Sequence, residues 1–326
     1  MIFLNDIILH RIWLTQLRSP VGRMLCIAGC LLTIFFVSCK EKTVDFNANS
    51  CKGSPSFIKI LGFEPKSSFL STSDQTIIGL QLLQSEQPGN PNARITKYYQ
   101  HPSWKKGGRL APILVDESGN IFISPAPFIS LLENPIVNNN TIYRVDASTG
   151  IMEEFMRLPL QDSINPQNPY GIIGMIYLCE TGTLYVSSVA GSRLNEENGH
   201  IYAIDVKNKN IIDQIEYIDA MGMGISYATG KRQLFFGTGR SSAINSIILN
   251  ASGKFSGKPE IAFTLDNLGP RGDDKVRRIR TDNNGNLVIY GMEFNFNLIA
   301  PREKQETIYN FSYDEEEKKW VFQQSK

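Results

Sequence analysis

The chain has 326 residues, with 33 basic and 32 acidic side chains and three histidines. So even a balance sets up no field to gather nucleic acid or other polyanions. His10 lies in the leader described next, so only His101 and His200 would remain. That excludes a three-histidine zinc site, and no CxxC or HExxH occurs.

The first element is an apolar run from Met24 to Val37, with Arg11, Arg18 and Arg23 upstream and Ser38-Cys39-Lys40 downstream. A membrane-spanning helix needs about 20 apolar residues. This run of 14 is short, as the apolar core of a cleavable secretion signal should be. Met24 is a poor alternative start, because it would discard all three arginines. The junction resembles the lipobox of bacterial lipoproteins, with Ser38 in the small position and Cys39 in the lipidated one; Phe36 stands where that family usually has Leu. The resemblance implies a signal over 1–38 and fatty-acyl chains such as palmitate on Cys39. The protein would then be anchored to a membrane surface of a Gram-negative envelope rather than spanning it. Lys40-Glu41-Lys42 resembles the start of lipoproteins in Bacteroides-like bacteria, some displayed on the outer face. Residues 39–56, rich in Asn, Ser, Gly and Pro, read as a flexible tether.

Cleavage before Cys39 leaves 288 residues with 30 basic and 31 acidic side chains. That length suits one large β domain over 57–326. Beyond the lipidated cysteine only Cys51 and Cys179 remain. Cys51 falls in the tether and Cys179 in an expected strand, which argues against a bond between them.

The body repeats one unit of four short strands. Second strands align as 120–124, 183–187, 233–237 and 286–290, each after a turn with Gly. Glycine accepts positive φ at no steric cost, so such turns join antiparallel strands. Third strands align as 141–145, 200–204, 243–247 and 307–311. Fourth strands fall at Met152–Leu158, Ile211–Ile218, Ile261–Leu265 and Trp320–Gln323. Alternating apolar residues put one face of each sheet against a neighbour. A fifth, degraded unit is expected in 57–108, with strands at Phe57–Gly62, Thr76–Leu83 and Ala93–Tyr99. The pattern predicts an all-β fold, a β-propeller of five or six four-stranded antiparallel blades.

The phrases Val115–Ser124 and Gly199–Asp205 resemble those of NHL-type, gluconolactonase-like and quinoprotein-like propellers. They resemble still more the propeller lipoproteins of Bacteroides-like bacteria. The likeness covers roughly 109–323 and implies fold rather than chemistry. Lactonase-like members hold calcium with Glu, Asn and Asp at the channel mouth, but no such set can be placed here residue by residue. Quinoprotein dehydrogenases need a tryptophan-rich pocket, and only Trp104 and Trp320 survive the leader.

Propeller ligands sit at the face built by loops between second and third strands and between blades. Arg193, Asn195, Arg240, Glu293 and Asn295 lie in those loops and are the candidate ligand contacts; each is also an ordinary solvated loop residue. The arginine fork suits a carboxylate or sugar hydroxyls. Pro125, Pro127, Phe128, Leu131 and Leu132 form an apolar loop able to pack over the channel or touch a partner. Asp282, Asn284 and Asn286 invite a calcium reading, with Glu293 twelfth in the count, but the following strand would carry Glu293 away, so a turn is expected. Arg271-Gly272-Asp273 spells an adhesion tripeptide in an ordinary connector. Asp162-Ser163-Ile164 resembles a short O-glycosylation site. His200 with Glu197 or Asp205 is the one candidate general-base pair, and a structural His200 is the simpler expectation. No catalytic set and no resident cofactor is expected. Two functions follow. One is an envelope-anchored platform for a protein or glycan partner. The other is a divalent-metal-dependent, lactonase-like hydrolase, for which calcium is the candidate ion.

Overall fold

The computed structural model describes residues 53–325 apart from 75, 88, 91, 128, 160–166 and 295–304. The chain divides into Met1–Val44 and Asp45–Lys326, and the first unit lies outside the described residues. So does Cys39, with the signal and most of the tether.

Four sheets follow the repeat. Each is a simple meander of four antiparallel strands. The first holds β4 (Leu110–Val115), β5 (Ile121–Pro125), β6 (Thr141–Val145) and β7 (Met152–Arg157). The second holds β8 (Ile172–Leu178), β9 (Thr183–Ser188), β10 (His200–Asp205) and β11 (Asn210–Glu216). The third holds β12 (Ala220–Ser226), β13 (Gln233–Thr238), β14 (Ala243–Leu249) and β15 (Phe255–Thr264). The fourth holds β16 (Lys275–Thr281), β17 (Leu287–Met292), β18 (Thr307–Asp314) and β19 (Lys319–Ser325). A three-stranded sheet precedes them, with β1 (Ser68–Ser71), β2 (Gln81–Ser85) and β3 (Ile95–Tyr99). The result is the expected all-β propeller, with five blade-like sheets among the described residues.

Buried apolar clusters lie between consecutive sheets. Leu82 and Trp104 meet Ile121 and Val145. Phe122 and Phe155 meet Leu184 and Tyr202. Tyr185 and Ile201 meet Leu234 and Phe236. Phe235 and Ile244 meet Leu287 and Tyr309. First strands pack side by side, β4 on β8, β8 on β12 and β12 on β16. Turns after first and third strands gather at one end of the sheets. The second-to-third loops and the blade connectors gather at the other, which is the mouth.

The opening unit departs from expectation. Phe57–Gly62 is no strand: α1 (Phe57–Ile60) is a single helical turn that buries Phe57 and Ile58. Leu61 N–H donates to Phe57 O at 2.9 Å, and Phe63 N–H donates to Ile58 O at 3.0 Å. Gly62 takes φ +72 and ends the turn. Thr76–Leu83 is extended only from Gln81 onward. Asp74 Oδ1 accepts from Thr76 N at 2.7 Å and from Ile77 N at 3.2 Å, and those bonds fold the earlier residues into a turn. Ser68–Ser71 is a strand that carries no apolar alternation to reveal it.

Cys179 also corrects an expectation. It lies in the turn after β8 rather than in a strand, and it is disulfide-bonded. Every other cysteine lies outside the described residues.

Close approach between blades fixes one glycine. A Cβ on Gly237 in β13 would stand 2.2 Å from the Val276 Cβ in β16. Gly237→Ala should therefore lower stability by about 1–3 kcal/mol through overpacking. Urea unfolding of the variant against the parent checks this.

Candidate functional site

The mouth is organised by buried carboxylates placed just before first strands. Asp219 precedes β12 and is fully buried. Its Oδ2 accepts from Arg240 Nε at 2.6 Å. Its Oδ1 accepts from Gly199 N at 3.1 Å and from the Ser192 hydroxyl. Arg240 then spreads over the loop between β9 and β10. Its Nη1 donates to Leu194 O at 2.7 Å, and its Nη2 to Arg193 O at 2.6 Å and Glu196 O at 2.8 Å. Glu197 Oε1 accepts from Asp219 N at 2.6 Å. Burial pushes the Asp219 carboxyl up, against the opposing pull of Ser192 and Arg240.

Asp274, just before β16, repeats the device. Arg271 donates to both of its oxygens, and Tyr309 Oη donates to Oδ2 at 2.7 Å. Burial works upward on this carboxyl, but the hydrogen bonds from Arg271 and Tyr309 outweigh it and hold it below the usual carboxylate range. The guanidinium of the adhesion-like tripeptide is thus engaged inside the protein.

Between these connectors the mouth is apolar. Tyr170, Val189, Met221 and Phe294 form one buried cluster. The Tyr170 and Phe294 rings meet edge-on at 5.6 Å. Around it, loop side chains project outward. Leu132 is 94% exposed, Leu131 54%, Ile129 51% and Leu194 63%.

The candidate residues fall as follows. Arg193, Asn195 and Arg240 are brought together at the loop between β9 and β10. Arg193 pairs with Glu196 at 3.6 Å and is half-exposed, and Asn195 is exposed. Glu293 stands at the end of β17, near enough for its charge to act on Arg271. Asn295, Phe128 and Asp162-Ser163-Ile164 lie outside the described residues. Asp282 takes its own turn: Oδ1 accepts from Asn284 N at 2.8 Å and Asn286 N at 2.9 Å. Asp116 holds Asn120 in the same way. Among the described residues no three His, Cys, Asp or Glu side chains gather as a metal site. Asp219 and Asp274 escaped the sequence reading, because their partners are matched only by folding.

His200 does not pair with either acid. Its Nδ1–H donates to Asn198 O at 2.9 Å, which leaves Nε2 buried without a hydrogen-bond partner. The ring stacks on Tyr202 at 5.4 Å. Asp205 accepts from Asn208, and Glu197 from Asp219. Burial lowers the His200 pKa against the upward pull of the Asn198 carbonyl and Glu216.

No family model matches the chain, and no curated protein matches it. Solved structures do match. A hypothetical selenium-binding protein from Sulfolobus tokodaii is 13% identical, with a TM-score of 0.46 over 77% of this chain and 60% of that one. Regucalcin from Agrobacterium tumefaciens, a calcium-binding protein, is 15% identical, with a TM-score of 0.41 over 71% of this chain and 63% of that one. A protein from Lactobacillus plantarum is 11% identical, with a TM-score of 0.47 over 80% and 68%. The match thus spans under two thirds of the first two. The likeness is one of fold alone.

Two outcomes are expected. Arg240→Ala leaves Asp219 buried without its cation and should cost about 3 kcal/mol in urea unfolding. The unfolded imidazole takes up its proton near pH 6.5, and the folded His200 resists it. The unfolded state therefore binds more protons just below 6.5, and stability should fall as pH drops through that window. In His200→Gln this component of the pH dependence should vanish when melting is followed across the same range.

Proposed function

We propose that the chain is a lipid-anchored platform of the Gram-negative envelope that binds a protein or glycan partner at the mouth. One observation carries this reading: Ile129, Leu131, Leu132 and Leu194 are solvent-exposed on two loops of the same end. Exposed apolar side chains grouped on one face mark an interaction surface. They favour a protein partner over a glycan. The loop bearing Leu194 is held by Arg240, so little ordering is left to be done on binding. Arg193 and Asn195 supply polar contacts at the rim. The lipid on Cys39 would concentrate the platform at the membrane, where such a partner resides.

A second reading is a divalent-metal-dependent, lactonase-like hydrolase at the mouth, where the buried carboxylates Asp219 and Asp274 lie, each already held by an arginine. Calcium is its candidate ion. A calcium-dependent rise in melting temperature with metal-dependent lactone turnover would support it, and a flat response in both would reject it.

For the platform, cross-linking in intact envelopes identifies the partner by mass spectrometry. Leu132→Asp with Leu194→Asp should cut the cross-linked yield about tenfold, a loss of about 1.4 kcal/mol in binding. Both residues are exposed, so melting should barely change. An undiminished yield from the double variant overturns the assignment of this face.

A further inference from the structure

Three guanidinium groups converge on the wet face of β16, and among the described residues one carboxylate meets them. We propose that Arg277, Arg278 and Arg280 form a binding site for a phosphate monoester, whose negative charge completes the cluster. The site lies on the fourth four-stranded blade and rests neither on the mouth loops nor on the platform reading.

The strand itself brings the arginines together. Plain alternation would send Arg277 to one face and Arg278 to the other. A bulge prevents this. Val276 pairs with Gly291 and Arg278 with Tyr290, so Arg277 is an extra residue in the ladder. A bulge of this kind re-aims a side chain. Val276 and Ile279 stay buried, while Arg277, Arg278 and Arg280 are all exposed. The bulge has a firm backing. A Cβ on Gly222 would stand 2.6 Å from Arg278 N and 2.7 Å from Arg277 C, so β12 lies directly behind it.

The side chains then share two partners. Arg277 Nη1 donates to Glu306 Oε1 and Arg278 Nη2 to Glu306 Oε2, each at 3.3 Å. The Tyr290 ring carries two cations, with its centre 3.9 Å from the Arg278 Cζ and 5.4 Å from the Arg280 Cζ. Arg280 stands opposite Val288 in the ladder, so no carboxylate is in register with it. Like charges held this closely repel. Burial, and then the neighbouring Arg280, push the Arg278 guanidinium below its usual range, against the pull of Glu306 and Tyr290.

Three guanidiniums less one carboxylate leave two positive charges. A ring holds a guanidinium by its face and leaves the N–H groups at the edge free to donate. Those forks fit phosphate oxygens, and charge-assisted contacts of this type are the strong ones. A phosphate monoester carries about −1.5 to −2 at neutral pH, which matches the surplus. A lone carboxylate would leave part of it unanswered.

The full chain is titrated by calorimetry at constant ionic strength with inorganic phosphate, glycerol phosphate and a short-chain phosphatidic acid below its micelle concentration. Acetate is the control. The phosphates should bind at concentrations where acetate does not. Binding of none of the three, or equal binding of acetate, overturns the site. Arg280→Gln should weaken phosphate binding about tenfold, roughly the worth of one charge-assisted hydrogen bond. Arg280 is exposed, so melting should barely change. Glu306→Gln removes the internal counter-charge and should tighten phosphate binding several-fold, which loss of a merely structural ion pair would not do. Unchanged affinity in Arg280→Gln, or no gain in Glu306→Gln, overturns the proposal. Tighter binding of phosphatidic acid assigns the phosphate to a lipid headgroup, and tighter binding of glycerol phosphate assigns it to a soluble ester. Either preference supports the site. None of these readings involves the mouth leucines, so this site and the platform fail separately.

Discussion

The fold depends on how closely first strands approach one another. The β12 strand reads Ala-Met-Gly-Met-Gly-Ile-Ser and is buried along its whole length. A Cβ on Gly222 would stand 2.6 Å from Arg278 N, and one on Gly224 would stand 2.6 Å from the Ile279 side chain. Any larger residue at these positions would push β16 away and open the cluster around Phe235 and Leu287. Burial of those rings and branched side chains is the main favourable term, each contributing roughly 1.5–3 kcal/mol. It is gained only while the strands stay in contact.

Polar chemistry at the mouth follows from that packing. Connectors between blades must cross from an outer strand to an inner one over a dry core, with backbone groups that need partners. Asp219 and Asp274 serve this need. Each accepts several hydrogen bonds in a place that solvent does not reach, and each is neutralised by an arginine from a loop. A buried ion pair of this kind adds modest net stability but is costly to break. The arginines at the mouth are accordingly structural first. Arg240 fixes the β9–β10 loop through three carbonyls, and the exposed Leu194 is what that fixed loop presents.

The strands of the four full blades were legible because their burial is one-sided or complete and their turns carry glycine or an Asx residue. The third strands Thr141–Val145 and His200–Asp205 stand where alternation placed them. The opening sheet was not legible. Its β1 strand is Ser-Phe-Leu-Ser, too short and polar for periodicity, and β3 is exposed for most of its length. Phe57–Gly62 misled because a short, mostly apolar stretch interrupted by Lys59 fits a strand or a helical turn equally well. Arg193, Asn195 and Arg240 were found from their loop, but the locking of Arg240 onto Asp219 joins positions 21 residues apart, which no local pattern encodes. Cys179 misled for a related reason: the end of a strand was mistaken for its interior.

The fourth four-stranded blade shows how the two faces of a strand are written in the sequence. Its first strand, Lys-Val-Arg-Arg-Ile-Arg-Thr, alternates buried Val276, Ile279 and Thr281 with exposed Arg277, Arg278 and Arg280. That is the pattern of a sheet with one dry face and one wet face. The β12 strand, between two blades, has no such alternation. The wet face of β16 is finished as a surface. Arg278 lies over the Tyr290 ring at 3.9 Å, and Glu306 pairs with Arg277 and Arg278 at 3.3 Å each. Among the described residues no buried cluster joins this face to the opening sheet. Consecutive sheets among the described residues thus share four apolar interfaces, while the arginine face of β16 is held by Tyr290 and Glu306.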